Sequence, residues 1–476
     1  MLFPRVREIL SILQTSKLLR AAGVAAIGGG GQLALALVSS VLFVRYLGAE
    51  LYGTYQYFTA AVAVIPVFYD NLDQVIVRFF PTVDRQQQAR IVFAAFVIKG
   101  TVFLIISTLV GVIWYLWGRH ASLWQGILDR PGMAVTAVLV ILQVPISLLA
   151  DTVTRTLQGL QRFNLLMGLG LTQGVVNLIW LVLVIWGWKM EAAIGLPSIV
   201  GGRLISSLIF LLIFAFLVRR TWPGGWGLVL ACSHEVRETI KRAFGPDVRR
   251  YVLPLQVTGL MGYLKQYLPG LALGTAIGMT EVTYFHVIQQ VFTLVHKFIP
   301  NALGFVFPGM VKAWERDRAR FEARYQLLSV LYIGAVAGVA LLLLFAARPL
   351  LALWDLEIAR QVRWLFLIFG VNLIAGAANQ IELQVFLFGK DTRAIMIITP
   401  IEQLVISALT VCLVPPLGLI GAGWGQLART VWAWVSVAWS SHKIGVRSGR
   451  QILLVTGWVT AFAFLLVGAG AWYIGL

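Results

Sequence analysis

Apolar positions along this chain come in long runs, broken by short polar or basic segments. Thirteen runs read as spans: 21–44, 53–79, 90–118, 133–156, 165–188, 192–218, 251–275, 280–311, 326–347, 363–388, 392–414, 418–442 and 451–475. A helix needs roughly 20 predominantly apolar residues to cross a bilayer. The runs are continuous rather than alternating, which argues against a β-barrel. Lipid offers no partner for a bare backbone N–H or C=O, so every run is predicted to be helical. The longest connection lies between 219 and 250. Within it, SHEVRETIKRAF (233–244) spaces Val236, Ile240 and Phe244 four residues apart, with Arg237, Lys241 and Arg242 between them. That pattern fits a short amphipathic helix, either lying on an anionic leaflet or serving as a solvated linker.

Composition agrees with the pattern. Of 476 residues, 59% are hydrophobic and 12% charged, and the mean hydropathy is +0.84. A soluble chain carries about twice that charged fraction, so a soluble enzyme with a membrane tail is excluded. The net charge is +18. In a polytopic chain such an excess reads as cytoplasmic loop charge rather than as a nucleic-acid surface. With the N-terminus inside, the cytoplasmic segments and helix ends hold 26 Lys and Arg against 7 on the other side. This orients the N-terminus to the cytoplasm, puts the C-terminus outside after thirteen spans, and leaves no role for nucleic acid. The first run begins at Ala21 after a basic segment and exceeds 20 residues, so it reads as a retained helix rather than a cleaved signal. The two cysteines, Cys232 and Cys412, fall in a loop and a helix, and make neither a disulfide framework nor a metal site.

The chain also repeats itself. At an offset of 230, Gly48 meets Gly278, Gly159 meets Gly389 and Gln173 meets Gln403; at 226, Gly195 meets Gly421 and Arg203 meets Arg429. Helices one to six thus map onto seven to twelve in the same order and from the same side, a parallel repeat of the kind that builds two-bundle transporters. The expected fold is all-α and polytopic: two six-helix bundles around a central cavity, plus one extra C-terminal helix. The expected divisions are a cytoplasmic N-terminal segment (1–20), a first bundle (21–218), a cytoplasmic linker with a short amphipathic helix (219–250), a second bundle (251–442) and the extra helix (443–476).

Motifs for catalysis are missing. There is no G-x-x-x-x-G-K-[ST], H-E-x-x-H, C-x-x-C or G-x-S-x-G in the sequence, and Gly389-Lys390-Asp391-Thr392 lacks the upstream glycine of a phosphate loop. No cofactor and no enzymatic activity are expected. Ionisable residues inside spans are costly, so each is a functional candidate. The cations are Lys99, Arg203, Lys265, Lys297 and Arg429. Facing one cavity, they would suit an anionic substrate, phosphate above all. The acids Asp70, Asp73, Glu382 and Glu402 are candidates for a coupling ion or proton, or for pairing with those cations. Asp70 and Asp73 share a helix face. Asp151 and Arg155 are spaced for a local ion pair, Arg78 reads as an anchor or gate residue at the end of helix two, and His286 and His296 as core histidines.

Three stretches carry a resemblance. They are VRYLGAELYGTYQYF with the following NLDQVIVRFFP (44–81), RTLQGLQRFNLLMGLGLTQGVVNL (155–178), and FGKDTRAIMIITPIEQL with PPLGLIGAGWGQLAR (388–429). They resemble the polysaccharide-export and O-antigen flippase family of the multidrug/oligosaccharidyl-lipid/polysaccharide exporter superfamily. The resemblance implies a twelve-helix core of two bundles around a cavity. It also implies flipping of a polyprenyl-diphosphate-linked oligosaccharide across the plasma (inner) membrane by alternating access, with glycosyltransferases or a polymerase as partners beside the lipids. The extra helix 451–475 and Asn71-Leu72-Asp73, where the family pattern would have an apolar glycine-containing turn, depart from it, and the latter leaves the mode of coupling open. A cation-coupled drug or metabolite antiporter of the same superfamily is the alternative. A membrane-embedded glycosyltransferase or polymerase is disfavoured by outside connections of only about 15 residues.

Overall fold

A computed structural model describes residues 16–80, 83–116, 128–160, 162–187, 192–304, 318–388, 392–428 and the single positions 432, 457, 461 and 465. The described residues are helical, with no strand among them. The chain forms α1 (Ser16–Leu47), α2 (Ala49–Val62), α3 (Val64–Val67), a 3-10 turn (Asp70–Asp73), α4 (Gln74–Phe79), α5 (Arg85–Leu116), α6 (Met133–Gly159), α7 (Phe163–Gly187) and α8 (Ala192–Thr221). The long connection forms α9 (Gly225–Ala231), a second 3-10 turn (Cys232–Glu235) and α10 (Val236–Ala243). There follow α11 (Pro246–Ala276), α12 (Met279–Gly304), α13 (Arg318–Phe345), α14 (Ala347–Leu351), α15 (Leu356–Phe388) and α16 (Thr392–Leu417). Expected helix ends and observed ones agree within a few residues for α6, α7, α8 and α11. Apart from the single positions 432, 457, 461 and 465, the span 451–475 and the end of span 418–442 lie outside the described residues.

Six of the described helices are long and apolar enough to cross a membrane, and the bent pair Leu356–Val362 and Trp364–Ala377 makes a seventh. Their large side chains face outward: Leu104, Ile105 and Leu109 on α5, Leu183 and Trp186 on α7, Leu212 and Phe216 on α8 are all exposed. Exposed leucine and phenylalanine in bands like these belong in hydrocarbon, not water. The chain is an all-α multi-pass membrane protein.

Contacts divide the chain into two compact units, one of Leu42–Thr283 and one of Met1–Val41 with Tyr284–Leu476. In the Leu42–Thr283 unit the core runs through Tyr69, Val75, Ile76 and Phe80, the faces of α5 and α6 at Val92, Ala95, Leu148 and Leu157, and Phe210, Phe214 and Val218 of α8. Two glycines set how closely its helices approach. A Cβ on Gly159 would come 2.9 Å from Phe80 Cβ, and one on Gly202 only 1.7 Å from Trp180 Nε1. Trp180 lies over Gly202 and donates to the Ser198 carbonyl at 3.0 Å. In the other unit Phe292 packs on Phe366 and Phe369, with centroids 5.2 and 5.5 Å away. Trp354 is fully buried there and donates from Nε1 to Ser40 Oγ at 3.1 Å.

One expectation changes, and one is sharpened. Span 53–79 is not one helix. It breaks after Val62, turns through Pro66 and the Asp70–Asp73 3-10 turn, and resumes as α4. Tyr69 N–H donates to the Pro66 carbonyl and Leu72 N–H to the Tyr69 carbonyl, at 2.9 and 3.0 Å. Proline removes a ladder donor, and Asp and Asn side chains compete for backbone groups, so α-type bonding gives way here. The amphipathic helix of the linker forms as read, and the C-terminal part of its apolar side turns inward, while Val236 at its start is exposed. Ala243 and Phe244 are buried in the core and Ile240 packs against it, while Arg237, Lys241 and Arg242 stay exposed. The Gln87 side-chain amide clips the linker to α5 by donating to the Arg242 carbonyl at 3.1 Å. Burial against α5 removes more apolar surface from water than a solvated helix could.

Candidate functional site

The interruption of helix two places Asp73 at the junction of the 3-10 turn and α4, against α5 and α6. Asp73 and Lys99 of α5 form an ion pair at 2.5 Å, with side chains 1% and 0% exposed. The ammonium has three N–H groups and three oxygens around it: Asp73 Oδ2 at 2.5 Å, Thr152 Oγ1 at 3.0 Å and the Leu148 carbonyl at 3.3 Å. Thr152 in turn donates from its hydroxyl to Asp73 Oδ1 at 3.1 Å. The Tyr69 ring closes one side, with Nζ 5.3 Å from its centroid. Taking two charges out of water costs several kcal/mol per ion and is offset only when every donor and acceptor is matched. Here the matching is complete on the ammonium. The carbonyl of Leu148 is available as an acceptor although it lies within α6, because a carbonyl has a second lone pair.

Arg203 marks a second node in the same unit. Half-buried on α8, it donates from Nη1 to Tyr55 Oη at 2.6 Å, and its guanidinium carbon lies 5.3 Å from the Tyr55 ring centroid. Tyr55 stacks on Phe43 at 5.5 Å. A guanidinium braced by a buried tyrosine hydroxyl and ring suits an anion such as phosphate.

The other candidates are placed as follows. Lys265 is half-buried on α11, and Glu402 is buried on α16. His286 is half-buried on α12 and Asp151 exposed on α6. Arg155 donates to Gln158 Oε1 at 2.8 Å, and Arg78 is exposed. Asp70 lies in the 3-10 turn, Lys297 and His296 on α12 and Glu382 on α15, but their side chains are outside the described residues, as is Arg429 altogether. The structure therefore brings Asp73 and Lys99 together and sets Arg203 apart with Tyr55. Lys99, read in sequence as a cavity cation, has its charge met by Asp73 in a fully buried position. Thr152 and Tyr55 are not legible as site residues in the sequence, because both are neutral and nothing in one sequence singles out a threonine or a tyrosine within a span.

The polysaccharide biosynthesis protein family model matches residues 18–314. The chain belongs to that family. No curated protein sequence matches it. Among solved structures, the chain is similar to the lipid II flippase MurJ in an inward closed conformation, with TM-score 0.66, 15% identity, and 92% of this chain and 91% of that one covered. It is also similar to an inward-facing multidrug resistance MATE family transporter of the MOP superfamily, with TM-score 0.63, 16% identity, and coverage of 87% and 94%. A third likeness is to a MOP superfamily transporter from Pyrococcus furiosus described by the reverse polarity of its binding pocket, with TM-score 0.57, 16% identity, and coverage of 90% and 95%. The fold is thus the one shared by these transporters. Family and fold together make the chain a membrane transport protein of polysaccharide biosynthesis, and the flippase resemblance of its sequence is borne out.

Proposed function

We propose that the protein flips a polyprenyl-diphosphate-linked oligosaccharide from the cytoplasmic to the outer leaflet of the plasma membrane by alternating access. The observation that carries this reading is the family match over residues 18–314 on a fold also found in a lipid II flippase. Alternating access is supported by similarity to MATE transporters in inward-facing and outward-facing conformations. In this reading Arg203, Lys265, Lys297 and Arg429 hold the diphosphate, and the buried Tyr55 positions the Arg203 guanidinium through its hydroxyl. Lys99 and Asp73 form a neutral pair, leaving Glu402, Glu382 and Asp70 as the candidates for ion or proton coupling. The bundles are 21–218 and 251–442, the N-terminus is cytoplasmic, and glycosyltransferases or a polymerase supply and consume the substrate. The fold likeness to multidrug transporters favours one second reading, a cation-coupled drug or metabolite antiporter.

The test is a reconstituted assay. Proteoliposomes containing the purified protein and a fluorescent polyprenyl-diphosphate sugar are probed with an impermeant quencher or lectin. Flipping that is lost in Arg203→Gln, with folded protein recovered in normal amount, supports the phosphate role. If the wild type leaves the lipid-linked sugar in place yet exchanges organic cations for sodium or protons, the antiporter reading replaces this one.

A further inference from the structure

We propose that the oxygen cage around Lys99 Nζ is a monovalent-cation site whose occupant the chain supplies itself. The ligand set is that of an alkali-cation site: one carboxylate oxygen of Asp73, one hydroxyl of Thr152 and one backbone carbonyl, of Leu148, at 2.5, 3.0 and 3.3 Å from a single point. Oxygen donors of this kind suit hard cations. An ammonium group and a potassium ion are similar in charge and size, and the Tyr69 ring 5.3 Å away adds the electron-rich face that either would accept. The carboxylate arrives through one of the interruptions of helix two, the Asp70–Asp73 turn, where departure from α-geometry re-aims side chains and is common at ion sites in membrane transport folds.

The ammonium sits at the end of its four-carbon stem, on α5. A free cation in this cage would be exchanged with solvent at each turnover; a tethered one cannot leave the protein. Asp73 is thereby withdrawn from ion exchange, and any dependence on external sodium or potassium must act elsewhere. Removing the ammonium while keeping the three oxygens should convert the built-in cation site into an exchangeable one. The inference does not rest on the flipping reading, because its readout is the stability of the purified protein and not transport.

The experiment compares Tm of detergent-purified wild type, Lys99→Ala and Lys99→Ala/Asp73→Ala in choline, sodium, potassium and methylammonium chloride at equal ionic strength. Ligands that bind only the folded state raise Tm by mass action. The wild type should show the same Tm in all four salts. Lys99→Ala should be depressed in choline and recover by a few degrees in potassium or methylammonium, whereas the double variant should be indifferent to the salt. Should Lys99→Ala be recoverable as folded protein only when potassium or methylammonium is present during extraction, that too supports the cage. A Lys99→Ala protein equally stable in choline and potassium overturns the proposal. So does one unrecoverable in every salt while the double variant folds, or a wild type whose potassium-dependent Tm is abolished by Asp73→Asn.

Discussion

Replacing Lys99 by methionine keeps the length and much of the bulk of the side chain but removes the charge. Asp73 would then be a carboxylate at 1% exposure, with the Thr152 hydroxyl as its remaining donor. Removing one partner of a buried pair costs about 3–5 kcal/mol, because the other charge stays buried and uncompensated. The unfolding entropy of about 2.1 cal/mol/K per residue makes the shift roughly 1 °C per kcal/mol for a chain of this length, so Tm should fall by about 3–5 °C. Asp73→Leu should cost a similar amount by stranding the ammonium. Lys99→Met/Asp73→Leu replaces the pair by apolar side chains, and such replacements are often neutral or stabilising. Its loss should therefore fall short of the sum of the single losses by at least about 3 kcal/mol. Thermal unfolding of the four proteins in choline chloride, followed by size-exclusion fluorescence, measures the cycle. Additive single losses would refute the claim that these two charges sustain each other.

Gly202→Ala should destabilise by about 2–4 kcal/mol, because its Cβ meets the Trp180 ring and breaks the bond to Ser198, an overpacking and a hydrogen-bond loss together. Gly201→Ala, with Leu139 Cδ1 3.8 Å from its Cβ, should change Tm within error in the same assay. Phe244→Ser should release the linker from the core, and limited trypsin digestion should then cut at Arg237 and Lys241 faster than in the wild type. In a Cys412→Ser background, alkylation of Cys232 should titrate above the ordinary thiol range, since burial disfavours the thiolate, and Arg90→Gln should raise the midpoint further by removing a nearby positive charge. A midpoint at or below that of a free thiol would contradict the packing of the linker. Cysteines placed at 237 and 318 should be labelled only from the cytoplasmic side if the basic segments orient the chain.

Much of this architecture is legible from periodicity and charge. Spans such as 133–156 and 192–218 are long, apolar and bounded by polar residues, so their helices are found nearly in place. The break in helix two is less legible, since Pro66 and the Asp70–Asp73 stretch interrupt an otherwise apolar run by only a few residues. Lys99 and Asp73 stand out as charges in hydrocarbon, but their pairing does not, because 26 residues, including the whole of α4, separate them and no sequence period spans that distance. For α10, a four-residue spacing reveals an apolar side without saying what covers it, and here α5 covers its C-terminal part.

The packed linker also has a bearing on how the chain can be divided. A loose loop tolerates insertion cheaply, because closure entropy grows only slowly with length. This connection is different: Trp222, Val229, Ala243 and Phe244 are all in the core, and its longest exposed stretch is residues 233–238. A backbone cut there would sever the polypeptide without dissolving the interface. Two fragments, 1–233 and 234–476, made in one cell, would have a buried apolar surface ready to rejoin them, which makes that turn a natural place to split the transporter into complementing halves.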